Sequence, residues 1–442
     1  MMTREQVLTA ISDEQIQFID LWFTDITGLV KSITLPSTEL ESVLEQGAHF
    51  DGSSIEGFAR VAESDMTLMP DLDTFAVLPW DPPEERTARL ICTVHTVQDE
   101  PFIGDPRTVL TRMTEQAAAL GFHYKTGMEL EFFLFQMREG DRPLLPQDDA
   151  GYFDMSTGQS QTIRRRMLAT LSALNIQVES THHEIGSGQH EIDLRFDSAL
   201  ASADKVLTSR VALKTIAQRQ GLYCTFMPRP VENLPGSGMH THQSLHALQT
   251  GENVFAHPGD EYGLSQTARH FLAGQLYHAR AMVAVLAPLV NSYKRLGTSF
   301  EAPVYVTWAH INRGALIRVP HIAPGREMHT RLELRCPDPS SNPYLASTVM
   351  LAAGLDGIRQ QMQLPDPLEE TLFQQEPSRR RRLEVLPTSL GEALDALAQD
   401  EVILTALGPF ISDRYLAAKR EEFDAYNRQV TAWELERYLS HY

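Results

Sequence analysis

Cysteine is scarce and long apolar runs are missing, and each shortage excludes a class of protein. Three cysteines, Cys92, Cys224 and Cys336, occur in 442 residues. They are odd in number, far apart and without metal-type spacing, so they read as buried reduced thiols of a cytoplasmic chain. The longest apolar stretches are short, as at Met282–Val290, far below the roughly 20 residues that cross a bilayer. The opening Met1-Met2-Thr3-Arg4-Glu5-Gln6 has no signal-peptide pattern. Positive charge is also in deficit. With 38 Lys and Arg against 58 Asp and Glu, the formal net charge is −20, which repels a phosphate backbone and argues against direct nucleic-acid binding. The one basic run, Arg379-Arg380-Arg381-Arg382, reads as a solvated surface loop rather than a polyanion site. No repeat, low-complexity tract or Gly-x-x-x-x-Gly-Lys-Ser/Thr loop is present, so this is not a P-loop protein.

What is present is length and a 42% hydrophobic content, enough for two or three folding units with a large core. A helix opens the chain. Strands follow at Ile16–Phe23 and Lys31–Leu35 around a turn at Thr27-Gly28, then at Phe75–Pro79 and Arg89–Val94. Two prolines and a glycine between Pro101 and Pro106 mark a boundary, giving domains 1–103 and 104–442. Beyond it, helical windows fall near 107–120, 162–174, 198–220, 263–290, 341–362 and 412–440. Strands are expected near 127–136, 176–183, 189–196, 222–228, 239–246, 303–308 and 330–336. Several strands follow one another without helices, which is α+β rather than doubly wound.

The chemistry shows as charge inside apolar strands. Residues i and i+2 of a strand point to one face. Glu129 and Glu131 share a face in Met128–Phe135, as do Glu191 and Asp193, His240 and His242, and Arg331, Glu333 and Arg335. Glu184 precedes a Gly186-Ser187-Gly188 turn that would bring it beside Glu191. One such face is ordinary for an edge strand. Four together imply a shared polar interior, an open barrel or funnel, because a plain core does not tolerate that many unpaired charges. Carboxylates with few nitrogens and no thiolates suit Mg²⁺ or Mn²⁺ rather than structural zinc. Guanidinium groups beside them suit phosphate, and the combination is the equipment of phosphoryl transfer from ATP. A second cluster runs through Asn291-Ser292-Tyr293-Lys294-Arg295, Glu301, Arg313 and Arg318. The last two arginines flank the apolar Gly314-Ala315-Leu316-Ile317, which favours a functional role over a solvated loop.

Five blocks now resemble the signatures of type I glutamine synthetases, in the family's order: Asp51-Gly52-Ser53-Ser54-Ile55, Glu129-Leu130-Glu131-Phe132-Phe133, Gly236-Ser237-Gly238-Met239-His240, Asn291–Arg295, and Arg331–Pro339. The resemblance implies an N-terminal β-grasp domain and a larger catalytic α+β domain with a curved antiparallel sheet surrounded by helices. It also implies a dodecamer of two stacked hexameric rings, each active site lying between neighbouring subunits. It assigns Glu131, Glu184 and Glu191 to one metal, and Glu129, His240 and Glu333 to a second beside the ATP phosphates. Arg313 and Arg335 would stabilise the transferring phosphoryl group, and Arg318 would contact the nucleotide phosphates. Gly236 and Arg295 would hold glutamate. Glu179, Phe196, His242, Ser244 and Arg331 match nucleotide contacts. Asp51 matches the group that binds and deprotonates ammonium, with Ser54 beside it, both completing a neighbour's site. Glu301 matches a flap residue that closes the site and accepts a proton.

The implied reaction has two steps: the glutamate γ-carboxylate attacks ATP to give γ-glutamyl phosphate, and ammonia then displaces phosphate. A flap that excludes water protects the intermediate. One position departs from the family pattern. Pro235 stands where an asparagine usually contacts the amino acid, and proline offers neither amide side chain nor N–H; Asn233 is the nearest substitute. Relatives that ligate glutamate to polyamines or methylamine also vary in this loop, so a γ-glutamyl–amine ligase is the alternative. Retention of Asp51 favours ammonia. A non-catalytic regulatory homologue is the remaining reading, opposed by the full set of six metal ligands. Thr371-Leu372-Phe373 lacks the tyrosine that one branch adenylylates. Glu56-Gly57-Phe58-Ala59-Arg60 resembles the other branch, where the arginine serves glutamine feedback inhibition and regulator proteins bind.

Overall fold

The computed structural model describes residues 2–55, 65–137, 143–146, 148–155, 158–297, 302–370 and 383–442. Arg60, Glu301, the Thr371–Phe373 stretch and the Arg379–Arg382 run lie outside the described residues, as does the Ser54 side chain.

The first sheet is built from β1 (Phe18–Thr24), β2 (Val30–Pro36), β3 (Ala48–Asp51), β4 (Asp65–Val77) and β5 (Thr87–Thr96), in the order β2-β1-β5-β4-β3. β1 and β5 are parallel and the other pairs antiparallel. Alternation fixes its faces: Ile19, Leu21 and Phe23 enter one core with Leu68, Leu90 and Val94, while Trp22 and Ile91 enter a core shared with the second sheet. The β1–β2 turn needs glycine. Gly28 has φ +82°, and a Cβ there would lie 2.8 Å from the Asn342 Cα.

The second sheet centres on one long strand. It comprises β6 (Phe122–Met137), β7 (Pro143–Pro146), β8 (Val178–His183), β9 (Gln189–Leu194), β10 (Asp197–Ser198), β11 (Leu222–Thr225), β12 (Thr241–Ala247), β13 (Trp308–Ala309), β14 (Ile317–Arg318) and β15 (Leu332–Leu334). The main path is β13-β14-β15-β12-β6-β9-β8. The first half of β6 pairs with β12 and its second half with β9, so the sheet curls around its middle. Helices pack on its apolar side, burying Leu207, Phe271, Val283, Leu332, Leu334 and Val349 in the largest core.

Local signals explain most boundaries. Asp105 caps the helix Pro106–Ala119 by accepting from the Arg107 and Thr108 amides, with Pro106 at its first turn. Asn342 caps Pro343–Gln360 likewise. Three expectations change. The helix expected over 263–290 is two, Gln266–Tyr277 and Ala279–Leu286, divided at His278, whose ring bridges Asp400 (2.7 Å) and Asp356 (3.2 Å). The window 412–440 is likewise divided into Pro409–Asn427 and Ala432–Tyr438. The strand expected at 303–308 is reduced to Trp308–Ala309, because Val304 and Val306 bond outward to Leu386 and Glu384 instead of the sheet. Among the described residues no helix is long and apolar enough to cross a membrane.

The first sheet is tied to the helices that pack on the second by a charge network. The Arg107 guanidinium meets Asp71 at 2.6 Å and Asp204 at 3.0 Å, and Tyr344 donates to Asp204. Asn342 Nδ2 donates to the Asp25 carbonyl at 3.2 Å.

Candidate active site

Register brings the strand charges together. On the β6–β9 ladder Glu129 lies opposite Asp193, and Glu131 opposite Glu191. On the β12–β15 ladder His242 lies opposite Glu333. His240 precedes β12, but its carbonyl accepts from the Glu129 amide at 3.0 Å, so the ladder continues to it.

Glu129 is the centre of one group. Its carboxylate accepts from His240 Nδ1 at 3.0 Å and His242 Nε2 at 2.6 Å. Arg331 Nε donates to His242 Nδ1 at 3.2 Å. These bonds set both tautomers, and Nε2 of His240 is left as its basic nitrogen. Burial disfavours the Glu129 charge, yet His242 and His240 hold its carboxyl well below the usual range. Glu333 is 1% exposed and receives Arg318 at 2.6 Å and Arg335 on its two oxygens. Burial opposes its charge too, but His242, Arg335 and His240 pull it down to about 2. Donor atoms of Glu129, His240 and Glu333 lie within 4.8 Å of one another.

A second group forms at the β8–β9 end. The Glu184 amide bonds to the Gln189 carbonyl at 2.9 Å, and the turn sets the Glu184 side chain beside Glu191, as the glycine-rich sequence implied. His182 joins them: its Nε2 is 2.9 Å from Glu184 and 3.8 Å from Glu191. Donor atoms of His182, Glu184 and Glu191 lie within 4.8 Å of one another. Glu131 adjoins this group. Burial, followed by the neighbouring Glu184, pushes its carboxyl up to about 8, and burial with Glu131 and Glu129 pushes Glu191 up as well. Crowded, buried carboxylates that raise one another are a site shaped for a cation. Oxygen donors with one imidazole per group fit Mg²⁺ or Mn²⁺, and the three cysteines are buried free thiols outside both groups.

Two cavities meet at this wall. The larger, about 590 Å³, is lined by Glu129, Glu179, Phe196, His242, Ser244 and Arg331, with Lys125 above the Phe196 ring. Its volume suits a nucleotide-sized ligand. Glu179 reaches it from a register shift between Val178 and Ser180, the re-aiming that a bulge provides. The smaller, about 40 Å³, is lined by Glu131, Glu184, Pro235, Gly236, Arg295 and Arg335. Because Glu129 lines the first and its partner His240 the second, one carboxylate–imidazole pair joins them.

Other expected residues stand differently. Arg295 is buried and donates to the carbonyls of Arg335, Cys336 and Pro337 at 3.0–3.2 Å. Arg313 is exposed and bonds to the Tyr152 side chain. Asp51 ends β3, at the edge of the first sheet and exposed, on a different sheet from the metal-type acids. Pro235 lines the small cavity, whereas Asn233 is exposed.

A family model described as glutamine synthetase, catalytic domain, matches residues 103–438, and one described as glutamine synthetase, β-grasp domain, matches residues 15–97. The chain belongs to the glutamine synthetase family. A glutamine synthetase of Thermus thermophilus is 47% identical, with 100% of this chain and 99% of the relative covered. One of Thermotoga maritima is 46% identical over 99% of this chain and 100% of the relative. Among solved structures, a GmaS–ADP complex superposes with TM-score 0.88 at 32% identity, covering 98% of this chain and 99% of the other.

Within this glutamine synthetase fold, sequence reasoning missed His182 and Tyr152 as site residues, and placed Asp193 on the polar face without giving it a role. His182 carries a signal: it lies two positions before Glu184, on the same strand face. Asp193 shares the Glu191 face, and it clusters with Glu129 and Glu191. Tyr152 carries no signal, being an aromatic in a polar loop.

Proposed function

We propose that this chain is a glutamate–ammonia ligase that uses ATP to make glutamine, ADP and phosphate through γ-glutamyl phosphate. The observation that carries the reading is the shared wall. Two cation-type clusters stand where a nucleotide-sized cavity meets a small cavity lined by arginine and glycine backbone.

Phe196 and Ser244 would receive the nucleoside, with Glu179 and Arg331 at its polar edge. The groups Glu129–His240–Glu333 and Glu131–Glu184–Glu191, the second with His182, would each hold one Mg²⁺ or Mn²⁺. Such ions neutralise phosphate oxygens and favour transfer of the phosphoryl group. Arg335 and Arg318, both held by Glu333, aim guanidinium charge at the same place, where negative charge is shared in transfer. Arg313 would add a third cation. Gly236 and Arg295 would seat the glutamate. A free carboxylate is a poor acyl donor, so phosphorylation must precede attack by ammonia, which would form when Asp51 of a neighbouring copy takes a proton from ammonium. Glu301 would close the site and Arg60 would sense glutamine.

An interface-borne Asp51 requires assembly. The C-terminal segment exposes Val430 (70%), Trp433 (62%) and Leu439 (76%), an apolar surface suited to a second copy. The proposed assembly is a dodecamer of two hexameric rings. A phosphate-release assay with glutamate, ATP and Mn²⁺ tests the acceptor. Ammonium should support turnover. Turnover with methylamine or putrescine but not ammonium would instead make the chain a γ-glutamyl–amine ligase.

A further inference from the structure

Gln189 begins β9 and is 1% exposed. Its side-chain amide connects three separate pieces of the site. Nε2 donates to Glu131 Oε2 at 3.0 Å and to the Gly236 carbonyl at 3.1 Å. Oε1 accepts from the Gly186 amide at 3.1 Å. Only one orientation of the amide satisfies all three, since two partners accept and one donates. The approach is close: a Cβ on Gly186 would lie 2.7 Å from Gln189 Oε1.

The consequence falls on Glu131. Its Oε2 also accepts from the Gly238 amide at 3.0 Å, so this oxygen carries two donors. Oε1 is the oxygen turned toward His240 Nε2, 3.9 Å away. Gln189 and Gly238 together therefore choose which oxygen of Glu131 is presented. The same amide fixes the Gly236 carbonyl, which belongs to the loop lining the small cavity, and the turn that carries Glu184.

We infer that Gln189 is a positioning residue that couples the cation cluster around Glu131 to the amino-acid loop at Gly236. This rests on the reading of the small cavity as the glutamate pocket. A carboxylate at position 189 has the same shape but would set oxygen against both Glu131 and Gly236.

The test uses the full-length chain with Gln189→Glu and Gln189→Met. Mn²⁺ alone is titrated into metal-free protein and followed by electron paramagnetic resonance, alongside steady-state KM values for glutamate and ATP. Both variants should weaken one class of Mn²⁺ site by about 10- to 100-fold, the usual cost of losing a group that orients a metal ligand. Both should raise KM for glutamate and leave KM for ATP unchanged; Gln189→Met, which adds no charge, should stay cooperatively folded without metal, whereas Gln189→Glu, with its carboxylate buried against Glu131, should melt lower. Wild-type Mn²⁺ affinity in two folded variants would overturn the inference. So would parallel loss in Gln189→Met of Mn²⁺ binding, both KM values and metal-free stability, which marks a residue that only supports the fold. The Mn²⁺ titration does not depend on the reaction, so a wild type without glutamate turnover would refute the ligase reading and leave this result standing.

Discussion

Glu131 and Glu191 lie directly opposite each other on β6 and β9, and each is 7% exposed. Like charges facing across a ladder destabilise the pair, and burying them without a counter-charge costs several kcal/mol per ion, to order of magnitude. The fold places this repulsion at the meeting point of the two cavities. Relief by a cation is the basis of the functional reading.

Metal should therefore stabilise the protein itself. At Mn²⁺ a hundredfold above Kd, each occupied site adds about 2.7 kcal/mol to unfolding. Thermal melting with Mn²⁺ against chelator should show the gain. Glu131→Ala should lose part of it and all ATP-dependent phosphate release; unchanged turnover would refute the metal assignment.

Arg335 should matter for rate more than for binding. Its partner Glu333 holds its guanidinium within the site rather than at the surface. Arg335→Gln should lower kcat by about 10²- to 10³-fold, the scale of losing one preorganised donor, with a smaller change in KM for glutamate. Single-turnover phosphate formation separates the two.

The link between the first sheet and the helices beside it should be costly to break from one side. Arg107→Ala leaves the buried Asp204 without its cation, and takes the same partner from the half-buried Asp71. The loss should be about 3–5 kcal/mol, read from denaturant midpoints.

His278 predicts a pH dependence of stability away from the active site. Both ring nitrogens face carboxylates, Asp400 and Asp356, so both must donate and the ring carries charge. Burial opposes that charge, but the bonds to Asp400 and then Asp356 prevail and raise the pKa above 6.5. The unfolded ring has the ordinary value. The contribution is thus complete below about pH 6.5 and is lost as pH rises through the raised folded pKa. Melting of wild type and His278→Gln should differ most at pH 6 and converge toward pH 9.

Much of the site is legible in the amino-acid sequence. Period-two placement of Glu129 and Glu131, Glu191 and Asp193, and Arg331, Glu333 and Arg335 locates the polar face, because strand geometry leaves i and i+2 no choice of side. The turn at Gly186–Gly188 locates Glu184. Periodicity does not show which strands are neighbours, so the contacts His242–Glu129 and Arg318–Glu333 require the sheet order. Nor does it show that His278 divides an apolar helical run, since its two carboxylate partners lie 78 and 122 positions away. Gln189 reads as an ordinary polar strand residue until its three partners are seen.

The central claim is that glutamate is activated by phosphoryl transfer before its amide forms. Glutamate labelled with ¹⁸O in the γ-carboxylate, incubated with ATP, ammonium and Mn²⁺, tests it directly. One ¹⁸O should appear in the released phosphate for every glutamine formed. Glutamine formed with unlabelled phosphate would contradict the account.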